Sequence, residues 1–183
     1  NWLKVNETPI KWSNKIEPCE IAAEGDAVAT ETEQLLDIET GAGREADAIF
    51  ATENTAKYQI LADNAGQDKT VRLHISGKKD AHTAGCVEIV AKENSTLTVV
   101  MDSRVAPDAT KEEESTAEAS LAVRVRMKVE SGASVRLVQV QMPQEHETLL
   151  SDIGGNLIGE GAKVEYIQLF LGKGNLYSGC RMD

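Results

Sequence analysis

The most constraining feature of this chain is a period-two alternation of apolar and polar residues that recurs along its length. Val71-Arg72-Leu73-His74-Ile75 alternates in this way, as do Leu121 to Val129, Val135 to Met142 and Val164 to Leu171. Successive side chains of a β-strand point to opposite faces, so each run sends one set inward and the other outward. Val, Ile, Leu and Thr dominate, as suits a pleated, half-buried surface. Helical three-four spacing fits none of these runs as well, so the chain reads as all-β.

A turn recurs before the strands. Glu93-Asn94-Ser95-Thr96 precedes Leu97, Glu130-Ser131-Gly132-Ala133-Ser134 precedes Val135, and Glu160-Gly161-Ala162-Lys163 precedes Val164. Gly tolerates positive φ, and Ser or Asn bonds locally to backbone. The three Glu residues lie 37 and 30 positions apart, an irregular period. Hairpins of a sandwich or barrel produce such units; so do the stacked coils of a parallel β-helix. Aromatic residues make up only 4% of the chain. The interior must be aliphatic, and a narrow β-helix accepts aliphatic ladders, so the repeating turn and the composition both favour the β-helix.

Two regions follow from this pattern. Residues 1–60 form an N-terminal lead-in with poorly patterned first strands, carrying Trp2, Trp12, Pro9 and Pro18. Short strands are expected at Ala27 to Thr30 or Leu35 to Ile38, with a helical turn over Glu31 to Leu36 as the alternative. Residues 61–183 form the β-helix coils, interrupted at 107–119 by PDATKEEESTAEA. That stretch has no apolar face beyond Ala and reads as an exposed acidic excursion.

Charge and cysteine usage narrow the function. The formal net charge is −11 with no Lys/Arg cluster, which excludes nucleic acid and anionic membrane as partners. Cys19, Cys86 and Cys180 are odd in number and lack CxxC spacing, so a disulfide framework or zinc site is not expected. The longest apolar runs, Leu97 to Met101 and Tyr166 to Leu171, fall far short of the roughly 20 residues that span a bilayer. With no signal peptide visible, the expected location is cytoplasmic. The sequons at Asn6 and Asn94 are read as chance. The chain starts at Asn1 without Met and stops at Asp183 inside patterned sequence, so it reads as a fragment.

Several stretches resemble one family. Asn1-Trp2-Leu3-Lys4-Val5-Asn6 is similar to the W-x-W-L-K-x-N segment of the SufB/SufD iron–sulfur cluster assembly proteins. Val123 to Val138 with its Glu-Ser-Gly-Ala turn resembles the family's core, as do Val138 to Gln141 and Gly154-Gly155-Asn156-Leu157. The closest match is Gly159-Glu160-Gly161-Ala162-Lys163-Val164, followed by Phe170-Leu171-Gly172. The resemblance, nearer SufD-like, implies a right-handed parallel β-helix, incomplete at the C-terminal end. It implies a non-catalytic scaffold subunit acting with a SufC-like ABC-type ATPase and a SufB/SufD-like paralogue. The family's functional Cys and His residues lie beyond the point where this chain stops. No catalytic, cofactor-binding or metal residue is therefore carried over, and the iron–sulfur cluster is expected to be handled by the full complex, not bound here.

Donors for iron are Cys19, Cys86, Cys180, His74, His82 and His146. His82 and Cys86 lie four apart across Gly85 and are expected on a turn. His74 should face away from Leu73 and Ile75. Cys180 reads as a lone buried thiol or an interface residue. His146 reads as a solvent-exposed turn residue. Serine-hydrolase chemistry lacks its G-x-S-x-G elbow. Gly41-Ala42-Gly43 and Gly172-Lys173-Gly174 fall short of a phosphate loop. Asp102 and Arg104, near a strand end, keep open a carbohydrate-active β-helix enzyme such as a polysaccharide lyase, and an adhesive or capping module is a third class. An open coil end exposes unpaired backbone, so the chain is expected to self-associate as a dimer.

Overall fold

The computed structural model describes residues 2–5, 8–12, 15–26, 35–51, 55–63, 65–107 and 118–183; of residues 2–11 only the backbone is described. The strand expected at Ala27 to Thr30, most of the Glu31 to Leu36 turn and most of the 107–119 excursion lie outside the described residues.

The described chain is mostly β. Strands β1 (Trp2–Val5) and β2 (Thr8–Lys11) pair antiparallel as a small separate sheet. Next come β3 (Glu17–Pro18) and β4 (Glu20–Gly25), then a 3₁₀ turn (Arg44–Ala46) running into α1 (Asp47–Phe50). Nine strands follow: β5 (Ala56–Ala62), β6 (Asp68–Ser76), β7 (His82–Ala91), β8 (Thr96–Arg104), β9 (Ser120–Val129), β10 (Ser134–Gln141), β11 (Thr148–Leu157), β12 (Lys163–Phe170) and β13 (Asn175–Met182).

From β5 onward, consecutive strands alternate between two sheets. One sheet has the order β12-β10-β8-β6-β4, the other β13-β11-β9-β7-β3, with β5 also on β7. Every pairing among β5 to β13 is parallel; β4, at one edge, runs antiparallel to β6. The register is continuous. Asp68 pairs with Thr96, Thr96 with Ser134 and Ser134 with Lys163, steps of 28, 38 and 29 residues. The long step contains the 107–119 stretch, which explains the irregular spacing of the turn motifs. The two steps that lack it are 28 and 29 residues long.

The repeated turn occupies one corner of the stack. Gly66, Asn94, Gly132 and Gly161 have φ of 81°, 59°, 68° and 76°. Successive corners are joined by hydrogen bonds, Asn94 N–H to Ser131 O and Gly132 N–H to Glu160 O, both 3.0 Å. A left-handed residue costs a side chain about 1–2 kcal/mol, which is why Gly or Asn fills this column.

Between the sheets the inward residues form ladders in register, Ile60-Ile89-Met127 on one side and Val71-Val99-Leu137 on the other, all essentially fully buried. Each such side chain contributes about 1.5–3 kcal/mol of transfer free energy. Toward one end the ladder becomes polar, and the polar groups are bonded as burial requires. Gln139 Oε1 accepts from Ser151 Oγ and Tyr166 OH, each at 2.8 Å, and Gln141 Oε1 accepts from Gln168 Nε2 at 2.7 Å.

Residues 35–50 add a third layer, a strap across the outer face of the β7-β9-β11 sheet. Ala42, Ala46, Ile49 and Phe50 pack with Trp12 onto Ala84, Ala122 and Leu150; Leu35 and Ile38 pack onto Val90. The strand expected over Leu35 to Ile38 is instead a turn, closed by Ile38 N–H to Leu35 O at 3.2 Å, so that both buried side chains reach one sheet face. The strap lies flat because Gly41 meets Gly179. A Cβ on Gly179 would sit 2.4 Å from the carbonyl carbon of Gly41. Among the described residues no helix is long and apolar enough to cross a membrane.

Candidate functional site

The outward residues of β7, β9 and β11 face the strap instead of water. Register aligns Cys86, Arg124 and Asp152 in one row and Glu88, Arg126 and Gly154 in the next. Arg124 is 3% exposed and Asp152 0%. Buried charges persist only when paired and hydrogen-bonded, and here the strap supplies the partners. Arg124 Nε donates to Asp152 Oδ2 and Nη1 to Asp47 Oδ1 on α1, both at 2.7 Å. The guanidinium lies 4.2 Å from the centroid of the Phe50 ring. Asp152 also accepts from Thr40 Oγ1 and from Ala42 N–H, each at 2.8 Å. One carboxylate therefore joins two layers.

Beside this clamp, between the strap and strands β5, β7 and β9, lies a cleft of about 230 Å³ lined by Phe50, Lys57, Cys86, Glu88, Arg124 and Arg126, among others. Arg126 Nε donates to Ile38 O at 3.1 Å. Glu88 Oε1 accepts from Leu35 N–H at 3.3 Å and Oε2 from Gln59 Nε2 at 2.9 Å. Burial lowers the Arg126 pKa, and the neighbouring Arg124 charge lowers it further. Burial pushes the Cys86 thiol up to about 11, with Arg124 and Arg126 opposing. At neutral pH it is almost entirely the protonated thiol, and so a slow nucleophile.

The sequence-derived donors are dispersed. His82 and Cys86 both lie on β7, not on a turn, and face outward on the same side. At about 3.3 Å per residue they are about 13 Å apart, too far to share an ion. His82 hydrogen-bonds Ser120 Oγ at 2.5 Å and packs against the Trp12 ring, centroids 5.8 Å apart. Cys19 is buried in the main core, where burial pushes its thiol up to about 12. Cys180 is exposed, not buried. It occupies the row of the buried Ile153, but β13 ends its sheet and no described strand covers it. His146 sits exposed in a turn with φ 67°. His74 does face away from the buried Leu73 and Ile75, with Nδ1 2.5 Å from Asp102 Oδ2. Among the described residues no three His, Cys, Asp or Glu side chains gather in a metal-holding group.

The glycine-rich stretches have structural roles. Gly41-Ala42-Gly43 is the flat part of the strap, and Gly172 packs on the backbone of Pro143. The buried Arg124–Asp152 clamp went unseen in the sequence, although Asp152 between Leu150 and Ile153 was a signal that a cation had to meet it. At the other extreme, edge strand β12 and the residue after it expose Ile167, Leu169, Phe170 and Leu171.

In sum, the described residues define an all-β protein built on two mainly parallel sheets, beside the small β1-β2 sheet, with a strapped outer face. Compared with family models, curated proteins and solved structures, it matches none.

Proposed function

We propose that the alternating parallel sheets are the coils of a β-helix with two strands per coil, and that the chain serves as a scaffold subunit in iron–sulfur cluster assembly. The reading that coils wind right-handed follows from the strong preference of parallel crossovers for that hand. The observation that carries the proposal is the corner column Gly66, Asn94, Gly132 and Gly161. Its last two positions fall in the Glu-Ser-Gly-Ala and Gly-Glu-Gly-Ala turns that resemble the SufB/SufD core.

In this reading the coil stack is a rigid platform without chemistry of its own. The exposed apolar rim of β12 and the open edges of β12 and β13 suit contact with a paralogous β-helix subunit, and an ABC-type ATPase supplies the motion, in the cytoplasm. For the alternative, a carbohydrate-active β-helix enzyme, Asp102 and Arg104 do lie at the end of β8, where Asp102 is hydrogen-bonded to His74. The test is co-expression with an ABC-type ATPase and a paralogous subunit, using the full-length gene product. A stoichiometric complex that supports cluster transfer to an apo-protein is expected. Failure to co-purify with either one ends the proposal.

A further inference from the structure

The cleft beside the clamp carries an imbalance between donors and acceptors. Three of its four carboxylate oxygens have partners among the described residues. Asp47 Oδ1 accepts from Arg124, and both Glu88 oxygens accept, from Leu35 and Gln59. Its guanidiniums are not fully used. Arg124 is 97% buried, yet its Nη2 has no hydrogen-bond partner among the described residues. Arg126 makes one hydrogen bond among those residues, through Nε, which leaves both of its Nη groups. A buried N–H without an acceptor carries a desolvation penalty that an incoming acceptor removes. Burial first, and then the neighbouring Arg124 charge, lower the pKa of Arg126.

We infer that this cleft binds a small monocarboxylate through the Nη groups of Arg126, beside the buried and incompletely bonded guanidinium of Arg124, its apolar body resting against Phe50 and Leu36. Three observations choose this ligand class. A carboxylate presents two coplanar oxygens that match a guanidinium fork. Lys57, Arg124 and Arg126 face Asp47 and Glu88, with Asp152 behind Arg124. These six charges cancel, so a monoanion is tolerated better than a phosphate dianion. The volume of about 230 Å³ lies below the roughly 300–1,000 Å³ of typical ligand pockets, so the ligand is a short organic acid. The inference rests on the cleft alone and stands apart from the scaffold reading.

Cys86 lines the same cleft and reports its occupancy. The experiment follows alkylation of Cys86 by N-ethylmaleimide, by mass spectrometry, in a Cys180→Ser background that removes the exposed thiol. Butyrate and benzoate are titrated over roughly 0.1–50 mM, a range suited to weak binding. Butyramide, inorganic phosphate and sodium chloride serve as comparison arms at matched ionic strength.

Butyrate or benzoate should protect Cys86 in a saturable manner. At ten times the dissociation constant, a ligand that blocks the thiol slows alkylation about elevenfold. Arg126→Gln should abolish the protection, and Arg126→Lys, which keeps the charge but loses the fork, should restore little of it. The inference is overturned by absence of protection at the highest concentration, by equal protection from butyramide or chloride, or by phosphate acting at lower concentration than the carboxylates. Protection that survives Arg126→Gln in a variant with unchanged melting temperature also overturns it.

Discussion

Replacing Asp152 by Ala is the most demanding test of how the layers are held together. The carboxylate is fully buried and accepts from Arg124 Nε, Thr40 Oγ1 and Ala42 N–H. Asp152→Ala leaves those three donors without their acceptor. It also leaves Arg124 buried with one remaining carboxylate, the more exposed Asp47. Removing one partner of a buried ion pair costs about 3–5 kcal/mol, because the surviving charge stays desolvated. For a domain of this size each kcal/mol shifts the melting temperature by 2–4 °C, so a fall of about 6–20 °C is expected. Urea unfolding gives the free energy.

Because the strap should loosen before the two main sheets, tryptic cleavage after the exposed Arg44 gives a second, local readout, and it should accelerate. Asp152→Ala combined with Arg124→Met removes both charges, and the double variant should lose no more stability than Asp152→Ala alone. A single-variant cost under about 1 kcal/mol would show that the pair does not clamp the strap. So would a double variant whose loss equals the sum of the two singles.

Other expectations follow from the same geometry. Gly179→Ala places a Cβ 2.4 Å from the Gly41 backbone. It should cost about 1–3 kcal/mol by urea unfolding and should also speed cleavage after Arg44. Cys19 has an ordinary pKa of 9.0 that burial raises to about 12. The unfolded chain loses this proton above pH 9 while the folded chain keeps it, so stability should fall as pH rises from 9 toward 12. The Cys19 part of the loss at pH 10 is on the order of 1 kcal/mol, and the raised Cys86 thiol adds to it. Cys19→Ala should reduce that slope to the part Cys86 contributes, and an unchanged slope counts against a buried neutral Cys19 thiol. The wild-type chain is expected to self-associate by sedimentation at about 100 µM, and Leu169→Lys, on the exposed rim of edge strand β12, should leave it monomeric. A wild-type chain already monomeric there removes the edge-pairing argument.

What was legible in the sequence was what is local. Val71 to Ile75 and Val164 to Leu171 alternate because a strand alternates, whatever lies across from it, so the all-β reading needed no partner information. The corner turns were legible for the same reason: Gly132 and Gly161 announce positive φ on their own. The period was obscured by the 107–119 insertion, which lengthens one repeat from about 28 to 38 residues. The strap was not legible. Residues 35–50 have no period of their own, and their positions are set by contacts such as Thr40 with Asp152, 112 residues away. Alternation correctly turned Arg124 and Arg126 outward, yet outward does not mean solvated once another segment covers that face.

Asp152 was the available clue. An acidic residue flanked by Leu149, Leu150 and Ile153 cannot be left unpaired, and the outward row of a neighbouring strand is where its cation had to stand. The repeating parallel strands share one geometry and differ mainly in which side chain fills each inward position. Individual function should therefore gather where the repeat is broken. In this chain the strap breaks it over β7, β9 and β11, and the clamp and cleft lie together beneath the strap. A residue that ties a non-repeating segment to a repeating sheet is a better guide to function here than any donor picked for its element type. By that reasoning Arg124 and Arg126 take precedence over the scattered cysteines and histidines.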